Sequence, residues 1–372
     1  MSLLADVSSD MVMPLLPAFL VTLGANAAFI GMIEGTAEGT AAAFKYVSGR
    51  WADRVRRLRP LAIAGYALAF CARPFLAVAR APWEVLLIRN VDRAGKGIRT
   101  SPRDKLLAAS APRERLAEAF SFHRGMDHAG AFIGPLLAAG LLLIWPGQVR
   151  RVFLFAAVPG LIALLLLFAV REAPRDLARI EPRLPSNARV PRSLLAALAI
   201  FTLGNSTDAL LLLRAQTLGV PTLQLPLLWS LVHLVRALLS WPVGRAADRL
   251  GRRRALIAGW LWYAACYAGF AFARAPWHAW ALFAAYGIVT ALTEGSERAL
   301  VADAVPAEVR GRALGLYSLI TGAGLLAASV IAGQVWVRVS PAAALMMGAT
   351  LAVAASGVLA SGARPVRPEP AV

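Results

Sequence analysis

The chain has 372 residues, is 58% hydrophobic and only 16% charged, yet carries a formal net charge of +18. At a mean hydropathy of +0.61, its apolar content is too large for one soluble core, and the same figures exclude intrinsic disorder. Its cysteines, Cys71 and Cys266, exclude a disulfide framework and a four-cysteine zinc site.

A helix crosses a bilayer with about 20 mostly apolar residues. In chain order the runs that qualify are 3–23, 27–48, 60–79, 83–108, 117–145, 149–170, 193–218, 223–243, 254–273, 277–303, 312–336 and 341–361. The first lacks a basic start and a small-residue cleavage site, so it reads as a membrane helix rather than a removed leader. Runs 60–79, 149–170 and 341–361 read as nearly free of charge; the fourth and fifth carry many ionisable residues. Between 170 and 193 lies a Pro- and Arg-rich linker.

Arginine in short loops sets orientation. One set of loops holds Arg50, Arg54, Arg56, Arg57 and Arg59, then Arg113 and Arg115, then the linker arginines, then Arg245, Arg249 and Arg252 to Arg254, then Arg310 and Arg312. The opposite set holds Arg80, Arg150, Arg151, Arg274 and Arg338. The richer set is therefore expected in the cytoplasm with both termini, in a multi-pass protein of the inner membrane. Basicity so distributed is topology; no nucleic-acid partner is expected, and the lipid bilayer is the surrounding medium.

The chain also repeats itself. Ala79-Arg80-Ala81-Pro82-Trp83 recurs as Ala273-Arg274-Ala275-Pro276-Trp277. Gly49-Arg50-Trp51-Ala52-Asp53-Arg54 recurs as Gly244-Arg245-Ala246-Ala247-Asp248-Arg249, and Thr22-Leu23-Gly24 as Thr217-Leu218-Gly219. Cys71 and Cys266 keep the same offset and read as buried, reduced thiols; Ser8-Ser9-Asp10 aligns with Ser206-Thr207-Asp208. The expected fold is an all-α membrane protein: twelve transmembrane helices as two six-helix pseudo-symmetric halves, 1–170 and 193–362, with the linker at 171–192 and a tail at 363–372. Secondary transporters use parallel repeats of this kind, with a site between them near the midplane.

Gly244 to Arg254 spell G-x-x-x-D-R-x-G-R-R-R, and Gly49 to Arg57 spell a looser copy without the second glycine. In motif, repeat and span pattern the sequence resembles the major facilitator superfamily over nearly its whole length. In that family the motif Asp pairs with a neighbouring helix end and holds the cytoplasmic side closed. The resemblance thus implies gating roles for Gly49, Asp53, Arg54, Gly244, Asp248, Arg249 and Arg252. Gly125, then Gly134-Pro135-Leu136-Leu137-Ala138-Ala139, is similar to the family's antiporter motif, departing at the two alanines; Gly134 and Pro135 join the gating set. Physically, small residues let helices approach and Pro bends them.

Ionisable groups inside spans cost about 2.5–3.5 kcal/mol each on insertion scales and default to functional hypotheses. In the fourth run Arg89, Asp92, Arg93, Lys96, Arg99 and Arg103 recur three and four apart, on one helical stripe, with Arg93 near the midplane. Such a stripe lines a cavity or pairs with acids on neighbouring helices, and both readings stand. Arginine suits bidentate carboxylate or phosphate recognition. Candidate substrate contacts are Arg89, Arg93, Lys96, Arg124, Asn205, Asp208 and Arg236. Candidate proton carriers are Asp10, Glu34, Glu38, Asp92, His123, Asp127 and His128, histidine being the side chain that changes charge near neutrality. Glu297 and Arg298 fall near the cytoplasmic end of the tenth run and read as gate or helix-end residues.

Weaker signals carry less. His123 and His128 are five apart, not on one helix face as metal ligands, and Gly95-Lys96-Gly97 lacks the remainder of a phosphate loop. No enzyme, cofactor or metal site is expected. The reading is a monomeric secondary transporter, with protons and a small-molecule substrate as partners, working as a proton-coupled antiporter that exports an anionic or amphipathic compound. The alternatives are a proton-coupled symporter importing an organic anion, and a non-transporting receptor or lipid-moving protein on the same fold.

Overall fold

The apolar runs fold as helices, and no strand occurs among the described residues, which are 1–110, 116–169, 172, 190–305 and 310–362 of a computed structural model. Helix α1 (Ser2–Val12) passes through a 3-10 turn at Met13–Leu15 into α2 (Leu16–Thr22), because Pro14 and Pro17 cannot donate to the helix ladder. Then come α3 (Ala27–Arg54), α4 (Arg59–Ala72) with a 3-10 turn at Arg73–Ala77, α5 (Pro82–Ser110), α6 (Leu116–Ile144), and α7 (Val149–Phe155) abutting α8 (Ala157–Phe168). After the linker follow α9 (Arg192–Gly204), α10 (Asp208–Thr217), α11 (Leu225–Leu250), α12 (Arg252–Phe272), α13 (Pro276–Asp303), α14 (Arg310–Arg338) and α15 (Pro341–Ser361).

Among the described residues, 9 helical segments are long and apolar enough to cross a membrane. Helices α3, α5 and α13 occupy the remaining expected spans but lie outside that set. Their apolar character is diluted by the ionisable and hydroxyl side chains described below.

Packing follows the sequence repeat. In the N-terminal group α5 packs on α3 and α4, and α1 on α6; in the C-terminal group α13 packs on α11 and α12, and α9 on α15. The repeated Thr-Leu-Gly tripeptides build one helix stop twice. Gly24 and Gly219 take φ of 86° and 91°. The following amides, of Ala25 and Val220, reach back to Leu20 O at 3.0 Å and Ala215 O at 3.1 Å.

Between the groups, α3 packs on α14 and α6 on α11. The first seam is made of glycine. A Cβ on Gly31 would lie 2.2 Å from Ser329 O, and one on Gly333 2.7 Å from Ala27 O, so only backbone-to-backbone contact fits there. Along α3 no residue from Ala27 to Ala37 is exposed, whereas every residue from Ala43 to Val47 is. The seam is sealed at the start of α3 and parted toward the end that carries Arg50 and Arg54.

The motif loops differ as their glycines do. Gly251, at φ 95°, lets α12 start two residues after α11 ends. Arg56 stands at the matching place, and α4 starts only at Arg59, where the Glu172 carboxylate accepts from the amides of Leu58 (2.7 Å) and Arg59 (2.8 Å). The sequence reading pairs the cysteines as buried thiols; Cys266 is buried, but Cys71 is exposed, because α4 turns that face outward. Apart from Glu172 and its final residues, the linker lies outside the described residues, as does the tail at 363–372.

Candidate functional site

The cationic stripe of α5 divides in two. Arg89 grips Glu34 with both ends of its fork, Nε to Oε1 at 2.9 Å and Nη2 to Oε2 at 2.7 Å, and turns Nη1 to Asp92 at 3.4 Å. Arg73 closes the chain, with Nε at 2.8 Å from Asp92 Oδ1 and Nη1 at 2.6 Å from Ser8 Oγ. These charged side chains are 2–3% exposed, so the network joins α1, α3, α4 and α5 and does not reach open space. Close helix approach makes it possible: a Cβ on Gly95 would sit 2.6 Å from Gly65 O.

One turn on, the stripe changes surroundings. Arg93 Nε lies 3.3 Å from Glu38 Oε1, and the Glu38 side chain is 32% exposed, so this pair faces the parted side. Lys96 is half-buried, with Arg93, Glu38, Asp6 and Arg99 as its charged neighbours. Arg99 is buried, its guanidinium 4.3 Å from the Tyr66 ring centroid, and its Nε and Nη1 have no hydrogen-bond partner among the described residues.

Hydrogen bonds cross between the helix groups from α11. Trp229 Nε1 donates to Asp10 Oδ1 at 3.0 Å, and Ser230 Oγ donates to Phe132 O at 3.1 Å. Behind Trp229, edge-on at 5.2 Å, lies His233, which is buried and has neither ring nitrogen partnered among the described residues. On α6, Asp127 accepts from Ser2 and lies 3.4 Å from His123 Nδ1. His128 and Arg124, also on α6, lie within the field of Arg236 on α11, and Arg124 within that of Arg298 on α13. Basic groups from both helix groups thus converge beside the parted seam.

The C-terminal group holds a cavity of about 280 Å³. Its wall comprises Phe201, Thr202 and Asn205 of α9 and its end, Arg236, Tyr263, Tyr286, Val289, Thr290, Thr293 and Glu297 of α13, and Tyr317, Thr321 and Leu325 of α14. It sits where the seventh run is interrupted: residues 205–207 are not helical. A break in a membrane helix frees backbone groups that need partners. Tyrosines supply them. Tyr263 donates to Gly204 O at 2.9 Å and Tyr267 to Ser206 O at 3.5 Å; Tyr286 donates to the Asp208 side-chain carboxylate at 2.7 Å. Glu297 is held by Trp260 Nε1 at 3.1 Å and by the Tyr317 hydroxyl at 2.7 Å. The sequence reading groups Glu297 with Arg298 as a gate or helix-end pair; in the structure Glu297 lies in the cavity wall, where the aromatic faces of α12 and α14 enclose this turn of α13.

Of the expected gating residues, Arg252 meets Asp303 at 2.5 Å, tying the start of α12 to the end of α13. Gly49 offers its carbonyl to Lys105 Nζ at 3.3 Å, and Arg54 is exposed. Gly134 lets α6 cross α1, its Cβ position being 2.6 Å from Val7 O, while Pro135 lies inside α6. The side chains of Asp53, Gly244, Asp248 and Arg249 lie outside the described residues. Sequence reasoning missed Arg73, which sits in a run read as nearly free of charge, and the tyrosines and tryptophans of α11 to α14, which in an apolar run look like core. Tyr263 and Tyr267, one helical turn apart, were the available signal. Among the described residues no group of His, Cys, Asp or Glu could hold a metal ion.

Comparison with known proteins places this geometry. The family model for the Major Facilitator Superfamily matches residues 1–236 and 193–372. An uncharacterized MFS-type transporter of Methanocaldococcus jannaschii, MJ1317, is 31% identical over 96% of this chain and 92% of its own. A multi-drug resistance efflux pump PmrA homolog of Lactococcus lactis is 25% identical over 89% of this chain and 86% of its own. The crystal structure of the nucleoside transporter NupG, as a D323A mutant, superposes with a TM-score of 0.79, covering 97% of each chain at 14% identity.

Proposed function

The chain belongs to the Major Facilitator Superfamily, and from that premise we propose that it is a twelve-span, proton-coupled antiporter exporting a small solute across the inner membrane. Its six-helix halves, 1–170 and 193–362, rock about the cavity beside the break at 205–207. The termini and arginine-rich loops face the cytoplasm, and the state described is open to that side. The observation that carries the reading is the seam between the helix groups, glycine-tight at one end and parted at the other, with a cavity in the C-terminal group lined in part by α14, one side of that seam. A rigid receptor needs no such asymmetry.

In this reading Arg93, Lys96, Arg124, Asn205, Asp208 and Arg236 contact the solute. Asp10, Glu38, His123, Asp127 and His128 carry or sense protons, with Asp10 placed to report to the other half through Trp229. Arg89, Glu34 and Asp92 serve as the frame that holds the first half rigid. Asp53, Arg54, Gly49, Gly134, Pro135, Gly244, Asp248, Arg249, Arg252 and Arg298 form the moving closures. The multi-drug efflux label of the L. lactis relative supports export.

Flux in proteoliposomes tests the proposal. Solute-dependent exchange is expected in the native protein and is expected to fail in Asp10→Asn and Arg93→Ala at unchanged protein yield. The sign of the pH change on solute addition separates antiport from symport. No proton movement at any pH would remove the coupling, and full flux in both variants would remove the site.

A further inference from the structure

The direction of the hydroxyl groups around the C-terminal cavity restricts what it binds. Each threonine of the wall donates its proton to its own helix: Thr202 to Leu198 O at 2.7 Å, Thr290 to Gly287 O at 3.0 Å, Thr293 to Val289 O at 3.0 Å and Thr321 to Tyr317 O at 3.0 Å. Each tyrosine of the wall donates as well, to Gly204 O, to Asp208 or to Glu297. These partners are carbonyl and carboxylate oxygens, which only accept, so the direction of each bond is fixed. The threonine hydroxyls and that of Tyr286 therefore face the cavity as lone pairs with no proton left to give, while those of Tyr263 and Tyr317 also meet Tyr267 and Arg298.

The rest of the wall completes the pattern. Glu297 adds a carboxylate, already holding the Trp260 and Tyr317 protons and retaining further acceptor positions. The side-chain donors are the Asn205 amide and the Arg236 guanidinium, grouped toward α9 and α11. Aromatic rings, Phe201 stacked on Trp260 at 4.7 Å and Tyr263 among them, give the cavity flat apolar faces that also attract cations.

We infer that this cavity binds a small zwitterion on an apolar, preferentially aromatic, body: a protonated amine against Glu297 and the acceptor wall, and a carboxylate or other acidic group against Arg236. A wall without free hydroxyl protons leaves a plain organic anion short of donors, while the three N–H donors of a protonated amine find acceptors at Glu297 and the neighbouring hydroxyls. The inference rests on the transport reading of the same cavity and narrows its solute from the anionic or amphipathic class to compounds carrying an amine.

The test uses the purified full-length chain and three isosteric probes: phenylalanine, phenethylamine without the carboxylate, and 3-phenylpropanoate without the amine. Affinities are read by tryptophan fluorescence titration. The expected order is phenylalanine, then phenethylamine, then 3-phenylpropanoate, with at least about tenfold lost on removing the amine, since it leaves acceptors and a carboxylate unpaired. Glu297→Gln is expected to abolish the preference for phenethylamine over 3-phenylpropanoate, and Arg236→Gln to abolish that for phenylalanine over phenethylamine. If one variant does not fold, the other and Thr293→Val, expected to weaken amine binding alone, carry the test. Equal or tighter binding of 3-phenylpropanoate, no binding of any probe, or an amine preference untouched by Glu297→Gln overturns the inference. Flux of another solute in the same vesicles would then leave the transport reading standing; amine-selective binding without flux would do the reverse.

Discussion

Arg89 shows what a buried charge does when its partners are complete. It meets Glu34 twice and Asp92 once, all nearly unexposed. Removing one member of such a set leaves the others charged and dry, so Arg89→Ala is expected to lose about 3–5 kcal/mol of stability. A chain with both Arg89→Met and Glu34→Met is expected to recover much of that loss. Thermal unfolding midpoints in detergent, native against single and double variants, check this; equal midpoints for Arg89→Ala and the native chain would contradict it. Trp229 offers a second residue-scale test. Its indole proton goes to Asp10 across the two groups, so Asp10→Ala is expected to change Trp229 emission, while Asp10→Asn, which keeps an acceptor, leaves it nearer the native value. Spacing made the stripe of α5 and its acids on α3 legible in the sequence. It did not make legible which of these cations are locked in the buried frame and which face the parted side. That depends on Arg73, distant in sequence, reaching Asp92, and on Glu34 and Glu38 lying one turn apart with different exposure.

Helices and their joints were legible where punctuation is local. The Thr-Leu-Gly stops and Gly251 declare positive φ by residue type. Replacing Gly251 with Ala is expected to cost about 1–3 kcal/mol, read from thermal unfolding, because an L side chain rarely adopts that backbone. The interruption at 205–207 was not legible, since Asn205, Ser206 and Thr207 lie in a run whose hydropathy continues on either side and whose supporting tyrosines belong to other helices. The seam between α3 and α14 gives a sharper test. Gly31→Leu sets a side chain against Ser329 O, which is backbone and cannot give way, so the sealed end is expected to open. With Cys71 and Cys266 replaced by Ser, a cysteine at Thr36 is expected to react faster with a water-soluble thiol reagent in the Gly31→Leu background. In the Gly125→Leu background, where nothing lies within 4 Å, its rate is expected to stay native.

At the scale of the whole molecule, the net charge of +18 resolves into topology and site. In the proposed topology the loop arginines orient the chain in the bilayer; Arg73 and Arg89 complete the frame around Asp92, and Arg124, Arg236 and Arg298 converge from both helix groups beside the parted seam. In the proposed reading the two helix groups turn about a shared site, and the repeat and the glycine seam support it. The direct measurement is a pair of spin-label distances between α3 and α14, one at the sealed end near Ala27 and Gly333, one at the parted end near Val47 and Leu316. On adding a transported solute or changing the pH gradient in proteoliposomes, the account expects the sealed-end distance to lengthen as the parted-end distance shortens. Both distances remaining fixed under every gradient and solute that supports flux, or both changing in the same direction, would contradict it.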